Sequence, residues 1–236
     1  MQVISEWGLS GAQALKNRAD VFIVVDVLSF STCVDVACAN GAKVFPFPIH
    51  DREAAQTEAL RLDAELAGKR SDVDAKYSLS APTLLTIPKG TRLVLPSPNG
   101  SHISFAAKGK PVFAGCLRNF SAVAKAASEM VGDGTVAVIP AGERWKDGSL
   151  RPAIEDLLGA GAIISEMNGA HSSEAMLARD AFLSARSDIL KRVMDSVSGV
   201  ELTERGFPQD VKIASELDVS TCAPVLTDEA YIASVW

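Results

Sequence analysis

The sequence predicts an α/β protein whose largely parallel or mixed sheet is covered by helices. Short apolar runs rich in β-branched residues alternate with longer helical segments, as in βαβ units. The first run, residues 21–27, is apolar at almost every position, which is typical of a strand buried on both faces. The chain has 236 residues and is 47% hydrophobic, enough for a large core. We expect residues 1–236 to form one compact unit, with a subdomain division near 70–90 or 140–150 and a cleft between the subdomains.

The first third of the chain predicts two strands and two helices. In order, these are a strand at 21–27, a helix at 31–41, a strand at 44–47 and a helix at 51–67. Pro46 predicts that the second strand is weak or lies at an edge, since proline donates no hydrogen bond to a neighbouring strand. The second helix is amphipathic, with Leu60, Ala64 and Leu66 on its apolar side.

Residues 69–90 predict no regular structure, and a connection of that length is usually functional or disordered. Regular elements return after it. They are strands at 92–95, 112–114 and 135–139, a helix at 121–131, a polar loop at 142–151, a helix with Pro152 in its first turn, helices at 173–186, 188–197 and 210–217, and a last strand at 222–226.

Charge and composition exclude several classes of protein. Lys and Arg number 23 against 29 Asp and Glu, a net charge of −6, which disfavours a nucleic-acid partner. No apolar segment approaches the length of a membrane span, and the N-terminus lacks the pattern of a signal peptide, so we expect a cytoplasmic protein without a membrane partner. The four cysteines form no metal-binding spacing and are expected to be free thiols. Assembly into a homo-oligomer is compatible with the sequence.

Polar side chains follow four of the predicted strands. They are Asp26, Ser29, Ser31 and Thr32 after the first, Asn99, Gly100 and Ser101 after the strand at 92–95, Arg118 and Asn119 after the strand at 112–114, and Glu143 and Arg144 after the strand at 135–139. Because the loops at the carboxyl ends of parallel strands meet at one edge of a sheet, we expect these groups to converge there. The sequence therefore predicts an active site at this edge.

Several of these residues also have structural interpretations. Asp26, in an apolar strand, needs a metal, a cation or good hydrogen-bond donors, and the donors alone would make it a cap for the next loop. Asn99 and Gly100 form a common turn dipeptide. Ser31 and Thr32 lie at a helix start, where they cap the helix or help its free amides to bind an anion.

Glu155 and Asp156 lie in the first turns of a predicted helix, where the helix dipole favours acids in any case. Adjacent helical residues point in different directions, so we expect at most one of the two to face the cleft.

The sequence also resembles a known family along most of its length. The matching motifs are VVDVL at 24–28, ANGA at 39–42, NGS at 99–101, LRN at 117–119, AG at 141–142, EDLL at 155–158, AG at 160–161, GF at 206–207, and DV at 210–211 and 218–219. In order and spacing they resemble the 2-phosphosulfolactate phosphatase family, magnesium-dependent hydrolases of coenzyme M biosynthesis. The resemblance implies an α/β fold with subdomains and an active site among these loops.

The chain departs from the family pattern at four places. The family's Asn-Ser-Pro motif is closest to Ser80-Ala81-Pro82 here. Ser29 stands where the family usually has arginine, and Lys69, in Gly68-Lys69-Arg70, stands where it has glutamate. Residues 96–98 are Pro-Ser-Pro in place of threonines before the Asn-Gly dipeptide. These changes alter the groups available for anion recognition and for metal or base roles.

The hypothesis is therefore a Mg²⁺-dependent phosphatase acting on a small anionic phosphorylated acid, 2-phosphosulfolactate or a related compound. The predicted catalytic residues are Asp26, Asn99, Asn119 and Asp156, and the predicted metal ligands are Asp26 with Asp156 or Glu143. The predicted substrate-binding residues are Ser29, Ser31, Thr32, Lys69, Arg70, Gly100, Ser101, Arg118 and Arg144. Two alternatives stay open: a catalytically silent anion-binding homologue, and a metal-dependent hydrolase or lyase acting on a non-phosphorylated acid.

The predicted cleft loops also carry a cluster of basic residues, although the chain is acidic overall. We therefore expect the sign of the charge to reverse locally at this edge of the sheet, which would attract an anionic substrate.

Overall fold

The structure is a computed structural model that describes residues 1–48, 52–72 and 74–234. Strands and helices alternate along most of this length. The elements of the first half are β1 (Gln2–Ser5), α1 (Gly8–Leu15), β2 (Val21–Val25), α2 (Phe30–Ala39), β3 (Lys43–Pro48), α3 (Arg52–Arg61), β4 (Glu65–Leu66), β5 (Arg92–Ser97), α4 (Gly100–Ala106) and β6 (Val112–Gly115). Those of the second half are α5 (Phe120–Val131), β7 (Thr135–Pro140), β8 (Glu143–Arg144), β9 (Leu150–Arg151), α6 (Ile154–Ser165), β10 (Ala170–His171), α7 (Ser173–Ala185), α8 (Ile189–Met194), α9 (Val197–Glu204), α10 (Pro208–Ala214), β11 (Pro224–Thr227) and β12 (Ala230–Ala233).

Ten of these strands form one mixed sheet in the order β10-β1-β7-β2-β6-β11-β12-β3-β5-β4. The strands from β10 to β6 are parallel to one another, and so are β3, β5 and β4. The hairpin β11–β12 lies between the two parallel blocks and pairs antiparallel with both. The predicted α/β class with a largely parallel or mixed sheet is therefore confirmed.

The antiparallel hairpin reverses the direction of the second block, so β5 runs opposite to β2. In a flat sheet, strands five positions apart would be separated by about 24 Å. The amide of Gly100, just after β5, nevertheless donates a hydrogen bond to the carboxylate of Asp26, just after β2, at 3.0 Å. The sheet is therefore strongly curved, and the carboxyl ends of its two blocks face each other. The expectation that all four loops follow strands of one parallel edge is wrong for the loop after β5.

The core lies on both faces of β2, as the continuous apolar run predicts. Ile23 and Val25 pack with α5, α6 and α7, whereas Phe22 and Val24 pack with α1, α2 and α4. Helix α2 is buried at every residue from 30 to 38, because it fills the concave face of the curved sheet.

The helix predicted at 51–67 is shorter in the structure. It ends at Arg61, and Asp63, with φ of 48°, turns the chain into the short strand β4. The buried face of α3 consists of Ala55 and Ala59, and Leu60 is 74% exposed, so the prediction that Leu60 lies on the apolar side is wrong.

Of the two outcomes predicted for the strand containing Pro46, an edge position is not observed, but its pairing with one neighbour is weak. β3 lies between β12 and β5, but β12 pairs with it only at Val44, so Pro46 lies beyond that pairing. Pro152 precedes the N-cap residue Ala153 and is therefore outside α6.

The helix predicted at 188–197 corresponds to α8, which ends at Met194. The hydroxyl of Ser196 accepts a hydrogen bond from the Gly199 amide and caps a separate helix, α9, that was not predicted. The sequence analysis missed β1, α1, α4 and β12 altogether, since each is short and without a clear apolar period. Within the described part of the chain, no helix is both long and apolar enough to cross a membrane.

Candidate active site

Asp26, directly after β2, joins two loops of the site. It is buried, and each carboxylate oxygen accepts a hydrogen bond from a backbone amide. The Phe30 amide, at the start of α2, donates to Oδ1 at 3.0 Å, and the Gly100 amide, at the start of α4, donates to Oδ2 at 3.0 Å. Both amides lie in the first turn of a helix, where they have no partner within the helix. Asp26 thus holds the loop after β2 against the loop after β5.

Asp156 makes the equivalent connection on the other side of β2. It is buried in the first turn of α6. Its Oδ1 accepts a hydrogen bond from the Val27 amide at 2.7 Å, and its Oδ2 accepts one from the Gly142 amide at 2.8 Å. The loops after β2 and β7 are therefore fixed by a second carboxylate held by two backbone amides.

Two glutamates lie with these aspartates. We call Asp26, Glu143, Glu155 and Asp156 the acidic cluster. The side-chain amide of Asn99 donates a hydrogen bond through Nδ2 to Glu143 Oε2 at 2.9 Å. This bond brings the loop after β5 to the start of the β8–β9 hairpin. Among residues 1–48, 52–72 and 74–234, no three His, Cys, Asp or Glu side chains are arranged to hold a metal ion by themselves.

Burial and mutual repulsion favour the protonated forms of these acids. Burial raises the pKa of Asp26 to about 6; the amides of Phe30 and Gly100 oppose this, and Glu155 adds to it. Burial, followed by the charge of Asp26, raises the pKa of Glu143 to about 7. Burial also raises the pKa of Asp156 well above its usual value, with further contributions from the charges of Asp26 and Glu155. The negative charge that these acids carry when they are ionised is therefore not fully compensated by their surroundings.

Gly100 is required by close packing at this site. A Cβ atom at this position would lie 2.2 Å from Cδ1 of Phe30, closer than two carbon atoms can approach. The absence of a side chain lets the start of α4 reach Asp26. The Asn99-Gly100 dipeptide is thus more than a turn: one residue contacts Glu143 and the other contacts Asp26.

Arg70 connects the acidic cluster to a second region. Its guanidinium donates hydrogen bonds to Ser29 Oγ at 2.7 Å and to the Leu79 carbonyl, and its Nε lies 3.3 Å from the carboxylate of Asp210. It also lies over the ring of Phe207, 5.6 Å from the centroid. Burial has the largest effect on the pKa of Asp26 and raises it, and the charge of Arg70 acts through space in the opposite direction.

Beside Arg70 is a cavity of about 330 Å³, which we call the cationic pocket. Its charged lining residues are Arg52, Lys69, Arg70 and Arg205. The local reversal of charge that the sequence predicts is therefore present at Lys69 and Arg70, next to an acidic cluster in an acidic chain.

Comparison with known proteins places the chain in a family. The family described as 2-phosphosulpholactate phosphatase matches residues 10–229. The chain belongs to this family. A protein of Pseudothermotoga lettingae named "Probable 2-phosphosulfolactate phosphatase" is 28% identical over 92% of this chain and 93% of its own length. The 2-phosphosulfolactate phosphatase of Methanothermobacter thermautotrophicus is 31% identical over 87% of this chain and 86% of its own length.

The resemblance seen in the motifs is thereby confirmed, and with it the enzyme class, since 2-phosphosulfolactate phosphatases are phosphoric monoester hydrolases. Within this family member, the acidic cluster, the cationic pocket and the groups that contact them bring together eight of the predicted residues. They are Asp26, Ser29, Lys69, Arg70, Asn99, Gly100, Glu143 and Asp156. Lys69 is exposed at the cationic pocket. Arg144 lines a different cavity, of about 210 Å³, together with Asn99 and Glu143.

Four predicted residues are fully buried and bonded to their own surroundings. The Ser31 hydroxyl donates to the Val24 carbonyl at 2.9 Å, and the Thr32 hydroxyl donates to the Val27 carbonyl at 2.8 Å. The Ser101 hydroxyl donates to the Leu95 carbonyl, and Asn119 accepts from the Cys116 amide and donates to the Ala114 carbonyl. These bonds position the loops, and their roles toward a substrate stay predictions.

Arg118 lies away from the acidic cluster. Its guanidinium pairs with Asp35 Oδ2 at 3.0 Å and also with Glu216. Asp35 belongs to the middle of α2 and is completely buried, so Arg118 neutralises a buried carboxylate. The geometry gives it a structural role, and the prediction that it binds substrate has no support from its position.

Two residues of the site were missed by the sequence analysis. Glu155 is buried next to Asp156, and its charge adds to the effect of burial in raising the pKa values of Asp26 and Asp156, so it lies near both aspartates. The expectation that at most one of the two adjacent acids faces the cleft stays a prediction. Arg205 comes from the loop after α9, and no local pattern marks it.

Proposed function

We propose that this protein hydrolyses 2-phosphosulfolactate to 3-sulfolactate and inorganic phosphate, with Mg²⁺ as its cofactor. In this reaction a water oxygen bonds to phosphorus, the bond between phosphorus and the ester oxygen breaks, and that oxygen takes a proton to become the hydroxyl of sulfolactate. The observation that carries the proposal is the buried acidic cluster beside the guanidinium of Arg70, in a chain of this family. The role in coenzyme M biosynthesis that the resemblance implies belongs to the same proposal.

The acidic cluster has the chemistry that Mg²⁺ requires. Mg²⁺ prefers oxygen ligands, keeps several waters and is commonly held by one or two carboxylates together with substrate phosphate. Asp26 and Asp156 use both oxygens to accept amides, but each carboxylate oxygen has a second lone pair. Burial, and after it the charges of neighbouring acids, raises the pKa values of Asp26 and Glu143, and a bound cation would favour their ionised forms. Asp26 with either Asp156 or Glu143 is therefore the proposed protein ligand pair, with waters and the substrate phosphate as the other ligands. A metal bound there would polarise the phosphoryl oxygens.

Three other groups have proposed roles toward the substrate. Asn99 is held by Glu143 and would orient a phosphoryl oxygen or the attacking water. Glu143, with a pKa near 7, can hold or release a proton near neutral pH. Arg70, fixed by Ser29 and Asp210, would bind an anionic group of the substrate.

Phosphate release from 2-phosphosulfolactate tests the proposal. The purified chain is assayed with Mg²⁺, and with EDTA before and after Mg²⁺ is restored. We expect release that EDTA abolishes and Mg²⁺ restores. Release that is insensitive to EDTA would remove the metal from the proposal. Binding of 3-sulfolactate without turnover would instead favour the catalytically silent homologue.

Direct Mg²⁺ binding is measured separately by titration calorimetry without substrate. We expect binding to the wild-type chain and at least a tenfold weaker affinity for Asp26→Asn. Asp218→Asn is the matched control, because Asp218 is exposed and caps α5 through Ser121, away from the acidic cluster. Equal affinity in all three proteins would contradict the proposed metal site.

A further inference from the structure

We infer that the cationic pocket binds the sulfonate end of the substrate and that Lys69 and Arg205 select for it. This inference rests on the proposed function, because it divides the same substrate between two regions. The phosphate lies at the acidic cluster with its metal, and the sulfonate lies in the neighbouring pocket. Nothing in the sequence analysis pointed to Arg205.

The charge of the pocket is the first observation. Among the described residues that line it, four are basic and no residue is acidic. In a chain with a net charge of −6, such a group of cations is a local feature that attracts anions and repels cations.

The second observation is that two of these cations have no side-chain partner in the described part of the chain. Arg70 is bonded to Ser29 and Asp210, and Arg52 lies 3.7 Å from Asp72. Within residues 1–48, 52–72 and 74–234, no acid or hydrogen-bond acceptor pairs with the side chain of Lys69 or Arg205. Both are exposed at the pocket and are therefore available to a ligand.

The third observation is that the pocket has a fixed wall. Arg70 is held on one side by Ser29, three residues after Asp26, and on the other by Asp210 and the ring of Phe207. Asp210 is itself held by the Ser80 hydroxyl at 2.9 Å. Because Phe207 follows Arg205 by two residues, this network also positions the loop that carries Arg205. One guanidinium thus links the position of Asp26 to that of Arg205.

The chemistry of the pocket suits a sulfonate joined to carbon. A sulfonate stays ionised throughout the physiological range and offers three oxygens, so several cationic donors can bind it at once. The rest of the lining includes Phe47, Leu66, Leu79 and Pro96, which can contact a methylene group. The volume is within the range for sites that bind small molecules.

A comparison of two substrates tests the inference. Steady-state kinetics are measured with 2-phosphosulfolactate and with 2-phospholactate, which lacks the sulfonate, for wild type, Lys69→Gln, Arg205→Gln and the double variant. We expect the KM for 2-phosphosulfolactate to rise about tenfold in each single variant and further in the double variant, with kcat changed less than threefold. The KM for 2-phospholactate should change less than threefold. Lys125→Gln removes an exposed charge on α5 and serves as the control.

Two results would overturn the inference while leaving the proposed function intact. One is an equal loss of kcat/KM for both substrates, and the other is an unchanged KM for 2-phosphosulfolactate in the double variant.

Calorimetry with 3-sulfolactate and with lactate needs no turnover and separates the two proposals. If the wild type hydrolyses neither phosphate ester, the proposed function fails. Binding of 3-sulfolactate that the double variant loses would then still support the pocket. Absence of that binding, or equal binding of lactate, would overturn it.

Discussion

The acidic cluster and the cationic pocket are neighbours with opposite charge and opposite construction. The aspartates of the cluster are buried, and backbone amides hold both oxygens of each. In the pocket, Lys69 and Arg205 are exposed, and only Arg70 is fixed by several contacts. The acidic cluster, the rigid region, has the properties needed for chemistry, because its groups are held in place in the low dielectric of the protein interior. The exposed region has the properties needed for recognition, since its side chains can adjust to a ligand.

The contrast also shows how little the net charge says about the site. The buried acids raise one another's pKa values, so part of the formal negative charge of the cluster is absent near neutral pH. At the pocket, by contrast, the side chains of Lys69 and Arg205 face solvent. An anionic substrate approaching this edge would therefore meet positive charge first.

The largest effect is expected when the rigid region loses its central charge. In Asp26→Asn, the amide NH₂ must face one of the two backbone amides that now donate to the carboxylate, which leaves a buried donor unpaired. We expect about 10³-fold less phosphate release and a free energy of unfolding lower by about 1–3 kcal/mol. Activity assays and urea denaturation measure the two effects, with Asp218→Asn as control. Full activity in Asp26→Asn would break the comparison, since the cluster would then be only structural.

A smaller effect is expected from disturbing the packing that lets α4 reach Asp26. The Cβ of Gly100→Ala would overlap Phe30, so the start of α4 must move and the bond from its amide to Asp26 must lengthen. We expect a loss of about 1–3 kcal/mol in stability and 10- to 100-fold in kcat. Gly109→Ala is the control, because it meets no atom within 4 Å and carries only the strain of its φ of +98°. Equal kcat in the two variants would show that the position of α4 does not matter to the site.

Much of this region could be predicted from local pattern. The run ending at Asp26, the cap region before α2 and the Asn99-Gly100 dipeptide follow from residue types and spacing, and the structure brings Asp26 and both residues of that dipeptide together. The position of Asp156 in the first turn of α6 also follows from local pattern, because the helix dipole favours acids there. These features are local, and local features are what a single sequence encodes most directly.

The remaining features depend on contacts between distant parts of the chain. The hairpin β11–β12 is formed by the last residues and reverses half of the sheet, which no pattern near residue 26 could indicate. The sequence predicts Arg118 as a substrate ligand, whereas in the structure it pairs with Asp35, 83 residues away. The same limit applies to Arg205, which reaches the pocket only because α9 and α10 pack where they do.

The pH dependence of stability sharpens the comparison, because the two regions should differ in it. The pKa of Glu143 is about 7 in the folded protein and about 4.3 in an unfolded chain. The folded state therefore binds more protons between these values, and the stability from this group, complete below pH 4, is lost as the pH rises through 7. Between pH 5 and pH 8 without metal, the wild type should lose on the order of 2 kcal/mol more than Glu143→Gln.

Urea denaturation at several pH values measures this difference. Glu129→Gln, on the surface of α5, should keep the wild-type slope. Mg²⁺ should reduce the loss at pH 8 in the wild type, since a bound cation favours the ionised cluster. Identical slopes in wild type and Glu143→Gln would mean that Glu143 is not protonated in the folded protein at pH 5.

The smallest effect on activity is expected from Arg118, a cation that belongs to neither region. Arg118→Gln leaves the buried carboxylate of Asp35 with the side chains of Ser220 and Asn119 but without the cation that neutralises it, which should cost about 3–5 kcal/mol in stability. The KM and kcat of the folded fraction should change less than threefold. The double variant Asp35→Asn/Arg118→Gln removes both charges and should recover part of the stability, which a structural ion pair requires and a substrate ligand does not. A tenfold rise in KM with unchanged stability would instead mean that Arg118 binds substrate, as proposed for Lys69 and Arg205. The residues that recognise the substrate would then extend beyond the cationic pocket.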